Sequence, residues 1–515
     1  MKRLQTAWNL VTVLALALSG AWAQDSSAPP PVPEPPPQSA SQEPVPAYGQ
    51  ENAPPTVTEN PPLSGLDLPS LEPHAAPLSY LQPGATVSES AASNATGNLG
   101  GGGLSSITRA LGSLALRRLW SNYDLAVDYA GGVAYYSRSG RRFEALQQMS
   151  LDQKIIWKRG QLSLRDSFSY LPEGNFGGSY GSIGSQGIGS LGSSAFGGFF
   201  GGSSLGSLGL APHILNVSVA DISENLSPKS AITVAGGYGF THFYAKDTSG
   251  NSFIGSSQVS VQAAYDRTVT PHTQVALLYG YQAFDFSVVG TAFHAHLIQG
   301  MYGHRITGRL DLLVGAGPQI ILINTQTAVC SQIIVSPFYC SLFGGTLVPA
   351  TDKSTKLGVS AQARLGYRFR KASLHLEFRR FDTGGSGFFA GAQSNIVSLD
   401  AVRPLSRIWT AFVNGGYATN TRLQPLAQVQ LNGCGSSQSS QTACPANNAG
   451  SYNYGFAGAG VHRAFGREFH AYFSYQFNRL SFANSFCGTG ACNRISNQSL
   501  VTFGLDWTPR PIRID

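Results

Sequence analysis

A strict alternation of apolar and polar residues constrains this chain more than any other feature. Between Lys356 and Arg370, every odd-numbered position from Leu357 to Phe369 is apolar, whereas the even-numbered positions carry Lys, Gly, Ser, Gln or Arg. Successive side chains of a β-strand point to opposite faces, so this period of two predicts a strand with one apolar and one polar face. Similar segments recur from about residue 113 to residue 508. About sixteen such strands without intervening helices predict an all-β fold, a single transmembrane antiparallel up-and-down β-barrel.

The connectors between the predicted strands alternate between short and long. Tight turns are expected at 158–160 and 271–272, whereas long loops are expected at 172–211 and 419–450. Outer-membrane barrels place short turns in the periplasm and long loops outside the cell. This alternation predicts that both ends of the barrel are periplasmic.

The N-terminus has the three parts of a secretory signal. Two basic residues stand near its start, an apolar run follows at 10–18, and an Ala-Trp-Ala motif ends at Ala23. This pattern predicts a cleaved signal peptide and export from the cytoplasm.

The chain is predicted to have four regions in all. These are the signal peptide at 1–23, a Pro- and Gly-rich periplasmic linker at 24–112, the outer-membrane barrel at 113–508 and a periplasmic tail at 509–515. The linker is nearly all proline between Pro29 and Pro37, and such a segment is expected to stay disordered as polyproline II or coil. We expect it to act as a spacer; the alternative is a ligand for a periplasmic partner that binds proline-rich segments.

Composition and charge argue against a nucleic-acid-binding protein and against a cytosolic enzyme. Charged residues make up 12% of the chain, well under the roughly 25% of average soluble proteins. Removing Lys2 and Arg3 with the signal lowers the formal net charge from +7 to +5, and these charges are scattered. A G-x-S-x-G match at 202–206 lies in a Gly/Ser-rich tract, whereas a nucleophile in this motif needs a strand-turn-helix elbow. We therefore expect no nucleic-acid partner, no catalytic residues and no cofactor.

Tryptophan is confined to one rim of the predicted barrel. After removal of the signal, four Trp remain, and each lies beside a predicted tight turn or at the end of the last strand: Trp120, Trp157, Trp409 and Trp507. The indole ring prefers the membrane–water interface, so these residues predict an aromatic girdle on the periplasmic side.

Six cysteines occupy three of the predicted outer loops, two in each. The close pairs are Cys330 with Cys340, Cys434 with Cys444, and Cys487 with Cys492. An exported protein with an even number of cysteines is expected to form disulfides, and this spacing favours one within each loop. The competing interpretation is a metal site, but the spacings match no zinc pattern and no His lies nearby, so no metal site is expected.

The polar face of the strands carries charges of both signs that are candidates for the lumen. These candidates are Asp124, Asp128, Glu144, Asp152, Lys154, Arg364, Glu377 and Arg379. In an open lumen they would tune ion selectivity, whereas in a closed lumen they would pair and fill the interior; the sequence leaves both open. His294 and His296 stand two apart on one predicted strand and are also expected to point into the lumen.

The chain resembles the outer-membrane β-barrel proteins of Gram-negative-type bacteria and is porin-like in size. Three features carry this resemblance: the signal ending at Ala23, the strand series from Tyr123 to Trp507 and the four rim Trp. The resemblance is architectural and implies an outer-membrane location, contact with outer-membrane lipid and assembly by the barrel-assembly machinery. The number of strands and the polar interior face predict passive diffusion of small hydrophilic solutes as the function. The alternative is a structural or adhesive surface barrel with a closed lumen, working through disulfide-stapled outer loops. The resemblance does not fix the oligomeric state.

Overall fold

A computed structural model gives the fold of most of the region after residue 78. The described residues are 79–94, 102–137, 143–173, 210–244, 254–286, 290–330, 347–369, 371–383, 389–423, 450–466, 468–483 and 494–514. Their regular secondary structure is entirely β, and no helix in these ranges is long and apolar enough to cross a bilayer.

The described ranges contain nineteen strands in chain order. They are β1 Tyr80–Ser93, β2 Leu104–Leu119, β3 Tyr123–Tyr136, β4 Phe143–Trp157, β5 Gly160–Glu173, β6 Leu210–Ser227, β7 Ser230–Phe243, β8 Ser256–Thr270, β9 Thr273–Phe286, β10 Thr291–Thr307, β11 Leu310–Cys330, β12 Leu347–Arg368, β13 Ser373–Thr383, β14 Ala392–Pro404, β15 Trp409–Arg422, β16 Ser451–Phe465, β17 Phe469–Phe482, β18 Ile495–Trp507 and β19 Ile512–Arg513.

The strands close into a barrel. Each strand from β1 to β18 pairs antiparallel with the next, and β1 pairs with β18 from Ala85 opposite Trp507 to Ala92 opposite Leu500. The two-residue β19 continues the pairing with β1 beyond the end of β18. Closure leaves no free sheet edge at this junction, which a barrel in lipid requires. The predicted all-β antiparallel barrel is confirmed, with 18 strands where about sixteen were expected.

The boundaries predicted for the barrel are wrong at both ends. β1 and β2 lie within the segment that was expected to be linker at 24–112, and β19 lies within the expected tail at 509–515. The reason is the side-chain size in β1, where small residues such as Ala85 and Ala91 on the outer face give a weak alternation with Ser88 and Ser90 on the inner face. The signal peptide and the linker as far as residue 78 lie outside the described residues.

The two faces of the barrel wall have opposite character. In β8, Val259 and Val261 are exposed, whereas Ser260 and Gln262 between them are buried. In β12, Leu357 is 80% exposed and Ser360, on the other face, is 4% exposed. Apolar side chains outside and polar side chains inside reverse the arrangement of a water-soluble protein, and they are typical of a barrel that stands in lipid.

Short and long connections occupy opposite ends of the barrel, as predicted. The connections that leave the even-numbered strands from β2 to β16 are no more than four residues long, and we call their end of the barrel the tight-turn end. The connections that leave the odd-numbered strands define the loop end, and they include the long segments after β5, β11 and β15. Because the strands alternate in direction, the short connections after β2 to β16 all lie at one rim of the barrel and the connections after the odd-numbered strands lie at the other.

One neighbouring pair of strands is joined over only part of its length. β11 and β12 pair continuously from Leu310 opposite Tyr367 to Cys330 opposite Leu347. The described pairing of β12 with β13 is restricted to eight positions at the tight-turn end, Ala361–Arg368. At the loop end β13 instead reaches past β12, because Gln319 Nε2 of β11 donates a hydrogen bond to Asp382 Oδ2 of β13 at 2.6 Å.

Candidate functional site: the inner wall of the barrel

Acidic side chains gather on the inner face of β3 and β4, in the half of the barrel nearer the tight-turn end. Asp124 lies opposite Lys154 in the strand register, and Asp152 lies opposite Ala126. Asp128 shares their face, because it has the same parity as the buried Ala130 of β3. The alternation thus brings together four of the charges predicted from the sequence.

Two of these acidic groups, Asp124 and Asp152, are held by neighbouring cations along the wall. The Arg117 guanidinium of β2 donates two hydrogen bonds to Asp124, with Nη2–Oδ2 at 2.8 Å and Nε–Oδ1 at 3.2 Å. Lys154 Nζ lies 3.7 Å from Asp152 Oδ2. A bidentate Arg–carboxylate pair fixes both side chains, whereas a partly exposed Lys–Asp pair adds about 0–1 kcal/mol at most. The charged side chains on this part of the inner wall are therefore held in place, but they remain charged and partly exposed to solvent.

A second group of charges lies on β12 and β13. Arg364 stands opposite Glu377, and Arg379 stands opposite Gln362, so all four side chains share the inner face. Arg379 also forms an ion pair with Glu377 along β13. Arg368 lies four residues from Arg364 towards the tight-turn end and on the same face, so β12 and β13 together carry mainly basic side chains here.

The acidic and basic regions lie on opposite sides of the lumen. β3 and β12 are nine strands apart in a closed ring of 18, which is half of the circumference. The side chains of Asp152 and Glu377 are 37% and 31% exposed, so charges on both walls are open to solvent. Charges of opposite sign on facing walls create an electric field across the space between them.

Glu144 is the one predicted lumen charge that stands apart. It lies on the inner face of β4 opposite Ala134, near the loop end. Eight positions separate it from Asp152, which is roughly 27 Å along a strand at about 3.4 Å per residue. Glu144 therefore does not belong to either charged region.

Apolar side chains fill part of the interior at the loop end. Phe293 of β10 and Ile321 of β11 are buried there, and they pack with Ala390 from the β13–β14 connection and Leu423 from the end of β15. We call this set, which also contains Ile254, Phe284, Phe286, Ala295 and Ile323, the inner apolar cluster.

A bend in the backbone at Gly391 brings the β13–β14 connection towards the interior of the barrel. Gly391 has a φ of 86°, a left-handed conformation that suits glycine, and its α-carbon lies against the Phe293 ring where a side chain would not fit. Its carbonyl accepts a hydrogen bond from the Leu423 amide at 3.2 Å. The loop ends of β13 to β15 thus reach into the interior of the barrel at this level.

The prediction that His294 and His296 point into the lumen is wrong. Both share a face with the exposed Ile298, and their Nδ1 atoms are 2.9 Å from the Tyr281 hydroxyl and 3.0 Å from the Tyr279 hydroxyl, respectively. The inner face of β10 carries the alternate residues, including Phe293, because these pack in the inner apolar cluster. Because β10 carries apolar residues on both faces, its sequence does not show which face points into the barrel.

All four predicted rim Trp lie at the tight-turn end. Trp157 ends β4 and donates a 2.7 Å hydrogen bond from Nε1 to Glu224 Oε2. Trp120 and Trp409 lie beside other tight turns, each with an Arg guanidinium over its ring, and Trp507 ends β18. Three of these indole rings thus contact charged side chains at the border of the apolar outer face, an arrangement that suits the membrane–water interface.

The sequence analysis missed a second set of amphipathic rings on the outer face, nearer the loop end. It consists of the two Tyr–His pairs formed by Tyr279, Tyr281, His294 and His296. His304, eight residues along the same face of β10 from His296, lies at the tight-turn end. With strands tilted about 40°, eight residues correspond to roughly 21 Å along the barrel axis, close to the ~25 Å apolar band of such barrels.

Several predicted sites fall outside the described residues. No side chain of the six cysteines is described, so the three disulfides stay predictions, and the G-x-S-x-G match at 202–206 is not described either. Within the described ranges, no three or more His, Cys, Asp or Glu side chains are grouped to hold a metal ion.

Comparisons with known proteins found similar folds but no family. No protein-family model and no curated protein matched the chain. Among solved structures, the ferric-catecholate import receptor Fiu of Escherichia coli is similar at a TM-score of 0.40 and 8% identity, covering 83% of this chain and 81% of that one. OccK2 (OpdF) of Pseudomonas aeruginosa gives a TM-score of 0.38 and 8% identity over 83% and 98% of the two chains. OccAB1 of Acinetobacter baumannii gives 0.37 and 8% over 84% and 96%. Likenesses of this strength establish neither a family nor a function for this chain.

Proposed function

We propose that this protein is an outer-membrane channel for passive diffusion of small hydrophilic solutes, with its tight-turn end in the periplasm. The observation that carries the proposal is the inner wall, where a mainly acidic region on β3 and β4 faces a mainly basic region on β12 and β13. Buried cores are apolar because unpaired charges are costly there, so charged and partly exposed side chains on an inner face favour a water-filled lumen.

The size and surface of the barrel support the same function. An eight-stranded barrel is filled by its own side chains, whereas barrels of 16 to 18 strands leave room for an aqueous channel. The exposed apolar outer face and the amphipathic rings near both rims suit a position in lipid. Assembly into the outer membrane would require the barrel-assembly machinery, and no catalytic role is part of the proposal.

The decisive experiment is single-channel recording of the refolded mature protein in a planar bilayer. We expect stable open steps whose conductance rises with salt concentration. A silent bilayer, with insertion proven by protease protection, would contradict the channel.

A second candidate is a surface barrel with a closed lumen that works through its outer loops. The inner apolar cluster favours it, because the contact of Gly391 with Phe293 lies in the interior at the loop end. A protein that is silent in bilayers yet loses its surface phenotype when residues 424–449, between β15 and β16, are deleted would support this candidate. A conducting protein without any loop-dependent phenotype would exclude it.

A further inference from the structure

The outer face of the barrel carries a groove along β16, near the loop end. Tyr417 of β15 forms one wall, and Phe477 and Arg479 of β17 form the other. Gly455 and Ala457 of β16 form the floor between these walls. The groove has a volume of about 420 Å³, which lies within the roughly 300–1,000 Å³ of small-ligand sites.

The register shows why a groove forms here. Gly455 lies opposite Tyr417 on one side and opposite Arg479 on the other. A Cβ added to Gly455 would meet Tyr417 Cδ2 at 3.5 Å, an ordinary contact, so the space above the floor is open. A larger side chain at position 455 would fit in this space and would fill the groove.

The groove is polar only at its loop end. Arg479 is exposed, and the described residues give it no ion-pair partner. Asn453 and Ser481 lie in the next register row towards the loop end and add an amide and a hydroxyl to the same end of the groove. Below this row, Tyr417, Phe477 and Ala457 make the rest of the groove apolar or aromatic.

The depth of Arg479 places its charge at the outer border of the apolar band. Trp409, at the tight-turn rim, lies opposite Arg463 of β16, eight positions from Gly455. Eight residues tilted about 40° rise roughly 21 Å, against an apolar band about 25 Å tall. The side chain of Arg479 is long enough to bring its guanidinium into the headgroup layer while its methylenes stay in the apolar zone.

We infer that this groove binds an anionic phospholipid of the surrounding membrane. Its phosphate pairs with Arg479, with Asn453 and Ser481 as further donors, and one acyl chain lies along β16 between Tyr417 and Phe477. A guanidinium matches a phosphate in charge and in the geometry of its donors, and an apolar groove below a cation matches the order of groups in a lipid. This inference rests on the proposed outer-membrane position but not on solute passage.

Native mass spectrometry of the full mature chain in dodecyl maltoside micelles tests the inference. The probe is phosphatidylglycerol, compared with diacylglycerol of the same chains, which lacks the phosphate. The wild-type protein is expected to retain one phosphatidylglycerol in a saturable way and to retain diacylglycerol poorly. Arg479→Gln removes a charge-assisted hydrogen bond and should weaken retention about tenfold. Gly455→Leu should abolish retention by filling the groove.

Two variants serve as matched controls. Arg479→Lys keeps the charge and should restore most of the retention lost in Arg479→Gln. Gly300→Leu places the same side chain on the outer face of β10, where an added Cβ meets nothing within 4 Å, and should retain the lipid like the wild type. Folding of each variant is verified by the heat-dependent shift of barrel proteins in gel electrophoresis.

Equal retention by the wild type, Arg479→Gln and Gly455→Leu would overturn the lipid site. So would equal retention of diacylglycerol and phosphatidylglycerol. A protein that conducts in planar bilayers but fails this test would refute the lipid site alone. A protein that is silent in bilayers but passes it would refute the channel alone.

Discussion

At the scale of single residues, the contact between β10 and β11 depends on one glycine. The pairing of these strands is interrupted between Leu297 opposite Gln319 and Gly300 opposite Ala316. Pro318 lies in the gap and has no amide to donate, and the backbone of Ile298 approaches Gly317 closely there. A side chain at Gly317 would overlap the Ile298 carbonyl, which belongs to a paired strand and cannot move freely.

Gly317→Ala is therefore expected to destabilise the barrel. Overpacking a well-packed site typically costs about 1–3 kcal/mol, and the overlap here is with backbone rather than with a flexible side chain. Urea unfolding of the refolded protein in lipid vesicles measures the free energy of unfolding. Gly300→Ala, on the neighbouring strand with open space around it, is the control and should match the wild type. Equal stability of both variants would refute the steric argument.

At the scale of elements, β11 and β12 form a long hairpin that is joined to β13 only near the tight-turn end. The eight described pairs of β12 and β13 end at Ala361, and beyond this point Asp382 of β13 bonds to Gln319 of β11 instead. Lys356 of β12 donates a hydrogen bond to the carbonyl of Leu423, which lies at the end of β15. At the loop end, the β11–β12 hairpin is thus connected to β13 and β15 by side-chain hydrogen bonds rather than by a described backbone ladder.

Hydrogen exchange should reveal this difference within one strand. In micelles, the amides of 351–360 that point towards β13 are expected to exchange at least about tenfold faster than those of 361–368, because ladder bonds protect only the latter. The facing segment of β11 at 310–323, which is paired with β12 throughout and with β10 over most of its length, provides the protected reference. Uniform protection along β12 would show that its loop-end half is paired after all.

At the scale of the whole molecule, the facing charges on the two walls should set ion selectivity. Arg364→Gln with Arg379→Gln removes positive charge from the β12–β13 wall and should shift the reversal potential in a salt gradient towards cation preference. Asp128→Asn with Asp152→Asn should shift it towards anions. A charge acting through water at 4 Å contributes about 1 kcal/mol, so about a fivefold change in the permeability ratio is the upper bound for each residue.

Arg479→Gln is the matched control for this measurement, because it removes the same charge from the outer face of the wall. It should leave the reversal potential unchanged. A shift as large as that of the inner-wall variants would mean that net charge, rather than the lumen, sets selectivity.

The sequence by itself determined the architecture of the barrel but not its limits. The alternation in β12, the short turns after even-numbered strands and the four rim Trp are local patterns, and a period of two fixes which residues share a face whatever the rest of the chain does. β1 was missed because its outer face carries residues such as Ala85 and Ala91. Only its pairing with β18 and β2 shows that it belongs to the wall.

The tertiary structure alone decided which face of β10 is inside and which charges meet. His294 and Phe293 are neighbours in a segment whose two faces are both partly apolar, so the inner face was set by packing against Ile321, Ala390 and Leu423, which are distant in sequence. The opposition of acidic and basic walls likewise depends on the number of strands in the closed ring, a property of the whole barrel. Periodicity is encoded residue by residue, whereas closure, register and contacts across the lumen are fixed only when distant strands pair.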